Sequence, residues 1–399
     1  MDNKSIAVPL TITLIVQSIV SMVAVTVPVL APSAAADIGI SVAYAGIYVS
    51  LMYIGGMLSS LWSGDFILRY GALRVSQICL CLSGIGLMLT SLATIPAMVI
   101  SAFIIGFGYG PVTPSSSHIL VRNTPSHMMS FVFSLKQTGV PIGGVLAGAI
   151  VPSLVIYAGW QNAAVYIGLF TISLIFLLSP FRLAIDNDRQ PNRRISFRGV
   201  THPLQMVISH RPLRQLAIIS FLYAGMQLCL FTYLVIYLTE DVGMAFIAAG
   251  LTLSAAQMSG TIGRIIWGIL ADRYIKPRKL LGLLGLGMSL GAVATASIQD
   301  TWPLTAIILA TILFGGTAIG WNGVYLAEAA RRAPAGEVSA ATGGTLFFTF
   351  FGVVLGPPIF GGVVYNTGSY PLAFLFFAGL TLIGGIMILF TGMQKQTSG

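Results

Sequence analysis

Long apolar runs, broken at near-regular intervals by charge, proline and glycine, dominate the chain. A helix crossing a bilayer needs roughly 20 consecutive apolar residues, and this punctuation marks off twelve such stretches. Six precede a longer polar segment: Ile6–Ala31, Tyr44–Ser63, Val75–Thr94, Ala97–Ser117, Met128–Tyr157 and Asn162–Phe181. Six follow it: Leu216–Leu238, Ala245–Leu270, Leu280–Ile298, Leu304–Leu326, Val338–Val364 and Pro371–Met393. The expected class is an all-α membrane protein with twelve transmembrane helices. Ala34, Ala35 and Ala36 follow the first run as a signal-peptide cleavage site would. That run is long for such a peptide and only Lys4 precedes it, so an uncleaved anchor is expected.

Composition narrows the function classes. Of 399 residues, 56% are hydrophobic and 8% charged, against about 25% charged in a soluble protein, so soluble-enzyme readings fall away. Three cysteines and four histidines leave little room for a disulfide framework or a metal cluster, and no cofactor is expected. The net charge of +9 is a matter of topology. Apart from Lys136 and Arg264, all of the 20 basic residues lie at the termini or in even-numbered loops. The odd loops carry Asp37, Glu240, Asp241 and Asp300. The positive-inside rule then puts both termini in the cytoplasm of a multi-pass protein of the cytoplasmic (inner) membrane. Nucleic acid loses its main support as a partner. The arginines between Arg182 and Arg214 are read as a solvated linker obeying the same rule, with membrane lipids as neighbours.

The halves carry matching landmarks. Gly139-Val-Pro-Ile-Gly-Gly144 in the fifth helix answers Gly356-Pro-Pro-Ile-Phe-Gly-Gly362 in the eleventh, where close helix approach and bending are easy. The loop from Gly64 through Arg69 and Gly71 to Arg74 answers that from Gly268 through Asp272 and Arg273 to Lys279. An internal duplication is expected, with a six-helix bundle over residues 1–182, a basic cytoplasmic linker over 183–214 and a second bundle over 215–399.

On these residues the chain resembles the major facilitator superfamily. The family's loop signature is matched by Gly268, Leu270, Ala271, Asp272 and Arg273. The first-half copy keeps Gly64, Arg69, Gly71 and Arg74, with Leu68 where the family has aspartate. The resemblance implies two pseudo-symmetric six-helix bundles rocking about a central site, with these loops acting on conformation. No Gly-x-x-x-x-Gly-Lys-Ser/Thr segment is present, so no nucleotide partner is expected and gradients supply the energy.

A charge at the centre of a membrane helix costs at least about 2.5 kcal/mol on insertion scales, so such residues line a pathway or pair with something. Lys136 lies roughly eight residues into the fifth helix, about 12 Å deep. Arg264 lies at a similar depth in the eighth. The resemblance implies that these helices pack together, so that both cations face one cavity. No acid falls mid-helix, which suggests that the balancing anion is the substrate. Snorkelling of Arg264 and helix-end carbonyls for Lys136 are the structural alternatives. Arg264-Ile-Ile-Trp-Gly268 also resembles the eighth helix of monocarboxylate and oxalate transporters, whose arginine binds the substrate carboxylate. Tyr237-Leu-Thr-Glu-Asp241 and Ala341-Thr-Gly-Gly344 are similar to segments of bacterial organic-anion and cyanate-permease carriers.

Polar residues on helices that line the cavity in this fold complete the candidate substrate site: Gln17 and Ser21, Tyr109 and Thr113, Gln137, Tyr223 and Gln227, and Trp321, Asn322 and Tyr325. The expected function is secondary active transport of a small organic anion, a carboxylate, by a monomeric non-enzyme. Lys136 is read as neutral in an empty cavity and protonated when the anion binds, giving symport with protons. His118 is a fallback titratable group. The alternative is a proton-driven exporter of drugs or metabolites, whose fifth-helix motif Gly139–Gly144 partly matches. Against it, Ala102 stands where such exporters often carry arginine. A ligand-binding sensor is the third class, and no output domain follows Met393 to support it.

Overall fold

The computed structural model describes residues 4–40, 44–192, 195 and 201–390. Part of the expected linker, including Arg193, Arg194 and Arg198, lies outside them, as does the tail after Phe390. The described chain is helical, without strands. Its long helices are α1 Lys4–Ile38, α2 Tyr44–Tyr70, α3 Ala72–Thr90, α4 Ile95–Asn123, α5 Ser126–Ala158 and α6 Trp160–Ile185. After a short helix, Thr201–Ser209, come α7 Arg211–Glu240, α8 Phe246–Arg273, α9 Pro277–Ala296, α10 Leu304–Arg332, α11 Val338–Thr367 and α12 Tyr370–Phe390.

Among the described residues eleven helices are long and apolar enough to cross a membrane. The twelfth, α8, has 28 residues, about 42 Å at the α-helical rise. It falls short in apolarity because Gln257, several Ser, Thr and Gly residues and Arg264 occupy its middle. The helix that reads worst as a membrane span is therefore one of those carrying a buried cation. Observed ends differ from the expected ones where caps decide them. The third helix stops at Thr90, because Thr94 is the N-cap of α4, its side chain accepting from the Ala97 amide with Pro96 in the first turn.

Among the described residues α4, α5 and α10 are interrupted in mid-course, and α6 tightens into a short turn at Ser179–Phe181 before its last residues. In α4 a segment ending at Tyr109 gives way at Gly110–Pro111 to a second beginning at Val112. Pro111 and Pro114 lack the N–H groups that would continue the ladder there. In α10 the break falls at Ile319–Trp321, after a glycine-rich turn. The first segments of α4 and α10 are both 15 residues long and the second are 12 and 11. The duplication read from loop motifs is thus repeated in backbone shape. In α5 the interruption is Thr138, directly after Lys136 and Gln137.

By compactness the chain divides into two units, one drawn from Met1–Pro125, Lys136–His210 and Arg332–Phe347, the other from Ser126–Leu135, Arg211–Arg331 and Phe348–Gly399. Within the first, α1 crosses α5 at Gly139 and Gly143, where any side chain would meet Gln17, Ser18 or Met22. Within the second, α7 crosses α11 at Gly352 and Gly356, against Phe221 and Gly225. Gly362, paired with Gly144 by the sequence comparison, faces open space, as does Gly144 itself. Large apolar side chains such as Ile156, Leu183 and Tyr365 are exposed, as a lipid-facing surface requires.

Candidate functional site

In the first unit the α1–α5 crossing brings Gln17 against the start of the second segment of α5, and the break at Thr138 leaves Lys136 and Gln137 beside it. Lys136 is 1% exposed. Its Nζ donates to Gln17 Oε1 at 2.7 Å, Gln137 Oε1 at 3.2 Å and Thr113 Oγ1 at 3.3 Å. Gln17 Nε2 donates to Ser21 Oγ at 3.1 Å, which turns the amide so that its oxygen meets the ammonium. All three of these acceptors are neutral. Thr113 lies in the first turn of the second segment of α4, and a helix N-terminus carries partial positive charge. An ammonium held by neutral oxygens at a positive helix end is stabilised by an arriving anion.

The second unit places its cation oppositely. Arg264, 3% exposed, donates from Nε to the Ile319 carbonyl at 3.1 Å. Trp267 Nε1 donates to the Gly316 carbonyl at 2.8 Å. Both oxygens belong to the last turn of the first segment of α10, where carbonyls lack intrahelical partners. A guanidinium there meets the negative end of the segment. Past the break, Trp321 Nε1 and Asn322 Nδ2 donate to Gln227 Oε1 at 3.2 and 3.1 Å, drawing α7 onto α10. Trp321 packs edge-on against Tyr223, with centroids 5.6 Å apart, and beside Tyr325 at 5.1 Å.

Other candidates are turned to packing. The Tyr223 hydroxyl donates to the Leu281 carbonyl on α9 at 3.1 Å. The Tyr325 hydroxyl shares a hydrogen bond with Thr349 at 3.3 Å. Tyr109, half-buried, meets Tyr53 edge-on at 6.1 Å.

The two loop motifs differ as the sequence difference suggests. Asp272 accepts from the Ser130 amide at 3.0 Å and the Phe131 amide at 2.7 Å, capping the start of α5. Arg331 donates to the same carboxylate at 2.9 Å. Next to it Gly268 and Gly323 admit α5 at Ser134, where any side chain on either glycine would collide. Arg273 is exposed. In the first unit Gly64 instead packs on Ala340 of α11 and Ser60 donates to the Gly343 carbonyl. Arg69 lies over the Tyr70 ring, and Arg74 donates to Gln77. The carboxylate missing at Leu68 has a counterpart elsewhere in the fold. Asp186, after α6, accepts from the Leu73 and Arg74 amides at 2.8 and 3.0 Å. Gly71, at φ +98°, keeps that space clear. Burial pushes the Asp186 carboxyl above the usual carboxylate range, the two amides and Arg182 pulling the other way. His118 bonds Asp188 at 2.6 Å and Ser339 at 3.2 Å.

Sequence reasoning missed Trp267, Arg331 and Asp186. Trp267 had a signal, since an indole one turn from a buried arginine needs an acceptor. Asp186 and Arg331 had none, because their partners are backbone groups or residues distant in sequence.

Residues 12–357 match the Major Facilitator Superfamily. The chain is 24% identical to a probable sulfoacetate transporter of Cupriavidus necator, over 92% of this chain and 89% of that protein. It is 24% identical to a gallate transporter of Pseudomonas putida, over 92% and 87%. In three dimensions it matches the crystal structure of the Escherichia coli fucose:proton symporter with a TM-score of 0.76, at 17% identity, covering 98% of this chain and 100% of that one. At that identity the structural likeness speaks for the fold.

Proposed function

The chain belongs to the Major Facilitator Superfamily, a multi-pass membrane transporter and not an enzyme, and we propose that it moves a small organic anion, a carboxylate, by proton symport. It acts in the cytoplasmic membrane, with both termini in the cytoplasm and bundles over residues 1–182 and 215–399 alternating access. The observation that carries this reading is Lys136, buried among Gln17, Gln137 and Thr113 at the start of a half-helix. Neutral oxygens and a positive helix end favour an anion beside the ammonium and disfavour a lipophilic cation. The named cargoes of the relatives, sulfoacetate and gallate, are organic acids. In this reading the charge of Lys136 attracts the anion, with Gln17 and Gln137 beside it, while Arg264 holds the α10 break and so sets Trp321 and Asn322. Proton uptake by Lys136 as the anion arrives couples the two fluxes.

Counterflow uptake in proteoliposomes tests it, across small carboxylates, sulfonates, phosphate esters, inorganic anions and lipophilic cations. The expected result is exchange of one or a few carboxylates that Lys136→Ala abolishes. Exchange of cations, or carboxylate exchange by Lys136→Ala equal to that of the parent, overturns the reading in favour of an exporter. Lys136→Arg, which keeps the charge fixed, is expected to lose dependence on the proton gradient; full retained dependence ends the role of Lys136 as the proton carrier alone.

A further inference from the structure

One member of the Lys136 cluster differs chemically from the others. The Gln17 and Gln137 oxygens only accept hydrogen bonds, whereas the Thr113 hydroxyl both donates and accepts. Its oxygen stands 3.3 Å from Lys136 Nζ and 3.4 Å from Gln17 Oε1. An ammonium offers three N–H donors and no acceptor; a neutral amine offers two donors and one lone pair. With Lys136 charged, Nζ donates to Gln17, Gln137 and Thr113, and the hydroxyl passes its own hydrogen to Gln17 Oε1. With Lys136 neutral, Nζ keeps both amide oxygens, and the hydroxyl turns about its C–O bond to donate to the lone pair. Only a hydrogen moves between the two arrangements. The β-branch limits threonine to two χ1 rotamers in a helix, and the one seen here keeps the oxygen within reach of both Nζ and Gln17 while the proton comes and goes.

We propose that Thr113 is the positioning residue that lets Lys136 gain and lose its proton without rearranging the site. The inference rests on the proton-symport reading above. In the step itself an O–H bond of a hydronium ion breaks, leaving water, and the Nζ lone pair forms an N–H bond with that proton as the anion enters, while the Thr113 hydroxyl swings from Nζ to Gln17. On release the N–H bond breaks, the proton leaves to water with the anion, and the hydroxyl swings back. One proton accompanies each anion, with no other bond made or broken. The neighbouring titratable groups among the described residues have partners of their own. Tyr109 and Tyr53 face each other one turn before Thr113, and His118, more than a turn beyond, holds Asp188 and Ser339. Asp37 of α1 holds Trp160 and Gln161.

The test is the ratio of gradient-driven uptake to counterflow exchange in proteoliposomes, from about pH 5 to about pH 8, for the parent, Thr113→Val, Thr113→Ser and Lys136→Arg. Thr113→Val keeps the shape and removes the hydroxyl. Its ratio is expected to fall roughly tenfold, the scale of one hydrogen bond, with an altered pH profile, and Thr113→Ser to restore both. Where Thr113→Val proves too unstable to reconstitute, Thr113→Ala carries the same expectation. A parental ratio and pH profile in the hydroxyl-free variant overturns the inference, and if Lys136→Arg has meanwhile lost coupling, symport stands without Thr113. Full proton dependence in Lys136→Arg instead takes Lys136 out of the coupling, and this inference falls with it.

Discussion

Lys136 and Arg264 are equally buried cations on interrupted or interruption-holding helices, yet their surroundings have opposite polarity. Lys136 meets neutral side-chain oxygens at the start of a half-helix, whereas Arg264 meets a backbone carbonyl at the end of one. Depth in the membrane ranks them alike, and the helix dipole separates them. The negative end of the α10 segment gives Arg264 part of its balancing charge within the protein. The positive end of the α4 segment raises the demand for an anion beside Lys136. The lesson is that two cations alike in burial are told apart by the helix end each one touches.

Substitutions can break that contrast. Lys136→Ala should have the largest effect: a charge-assisted contact is worth about 1.5–3 kcal/mol, so initial uptake at low substrate, measured on reconstituted folded protein, should fall roughly ten- to a hundredfold. Arg264→Ala should act mainly on stability, by about 1–2 kcal/mol from the lost charge-assisted bond to the Ile319 carbonyl, read as a lower unfolding temperature in detergent. Combining the two should give losses of anion affinity additive to within about 0.5 kcal/mol. Strong non-additivity would instead put both cations on one ligand and dissolve the contrast.

The loop motifs extend the comparison. Asp272→Asn removes the charge shared by Arg331 and the start of α5 and should cost about 1 kcal/mol of stability, whereas Leu68→Asp should add nothing, since Asp186 already caps α3. The smallest effect is expected at Asp186. Its carboxyl holds a proton more tightly in the buried folded state than in the unfolded chain. That contribution to stability is present below the unfolded-state value and is lost as pH rises through the raised folded-state value. Unfolding temperature against pH should therefore slope downward just above the ordinary aspartate range of about 3.9, and Asp186→Asn should flatten that slope.

Much of the fold was legible because lipid imposes a simple pattern: apolar length marks helices and polar punctuation marks their ends. Breaks were partly legible, since Pro111 and Pro114 announce the one in α4, while the α10 break needed Trp267 and Arg264 arriving from another helix. Candidate residues came out unevenly. Lys136, Gln17 and Thr113 do gather, but Tyr223 and Tyr325 turn their hydroxyls to Leu281 and Thr349. Polarity on a helix does not say which neighbour satisfies it.

By itself the amino-acid sequence determined the class, the all-helical membrane architecture, the internal repeat and the two cations placed where charge is costly, because each follows from local composition. Only the tertiary structure decided what those cations touch, which carboxylate caps which helix, and where Ser134 wedges between Gly268 and Gly323. Hydrogen bonds to backbone atoms leave no mark on residue identity, and partners distant in the chain meet only when the helices pack.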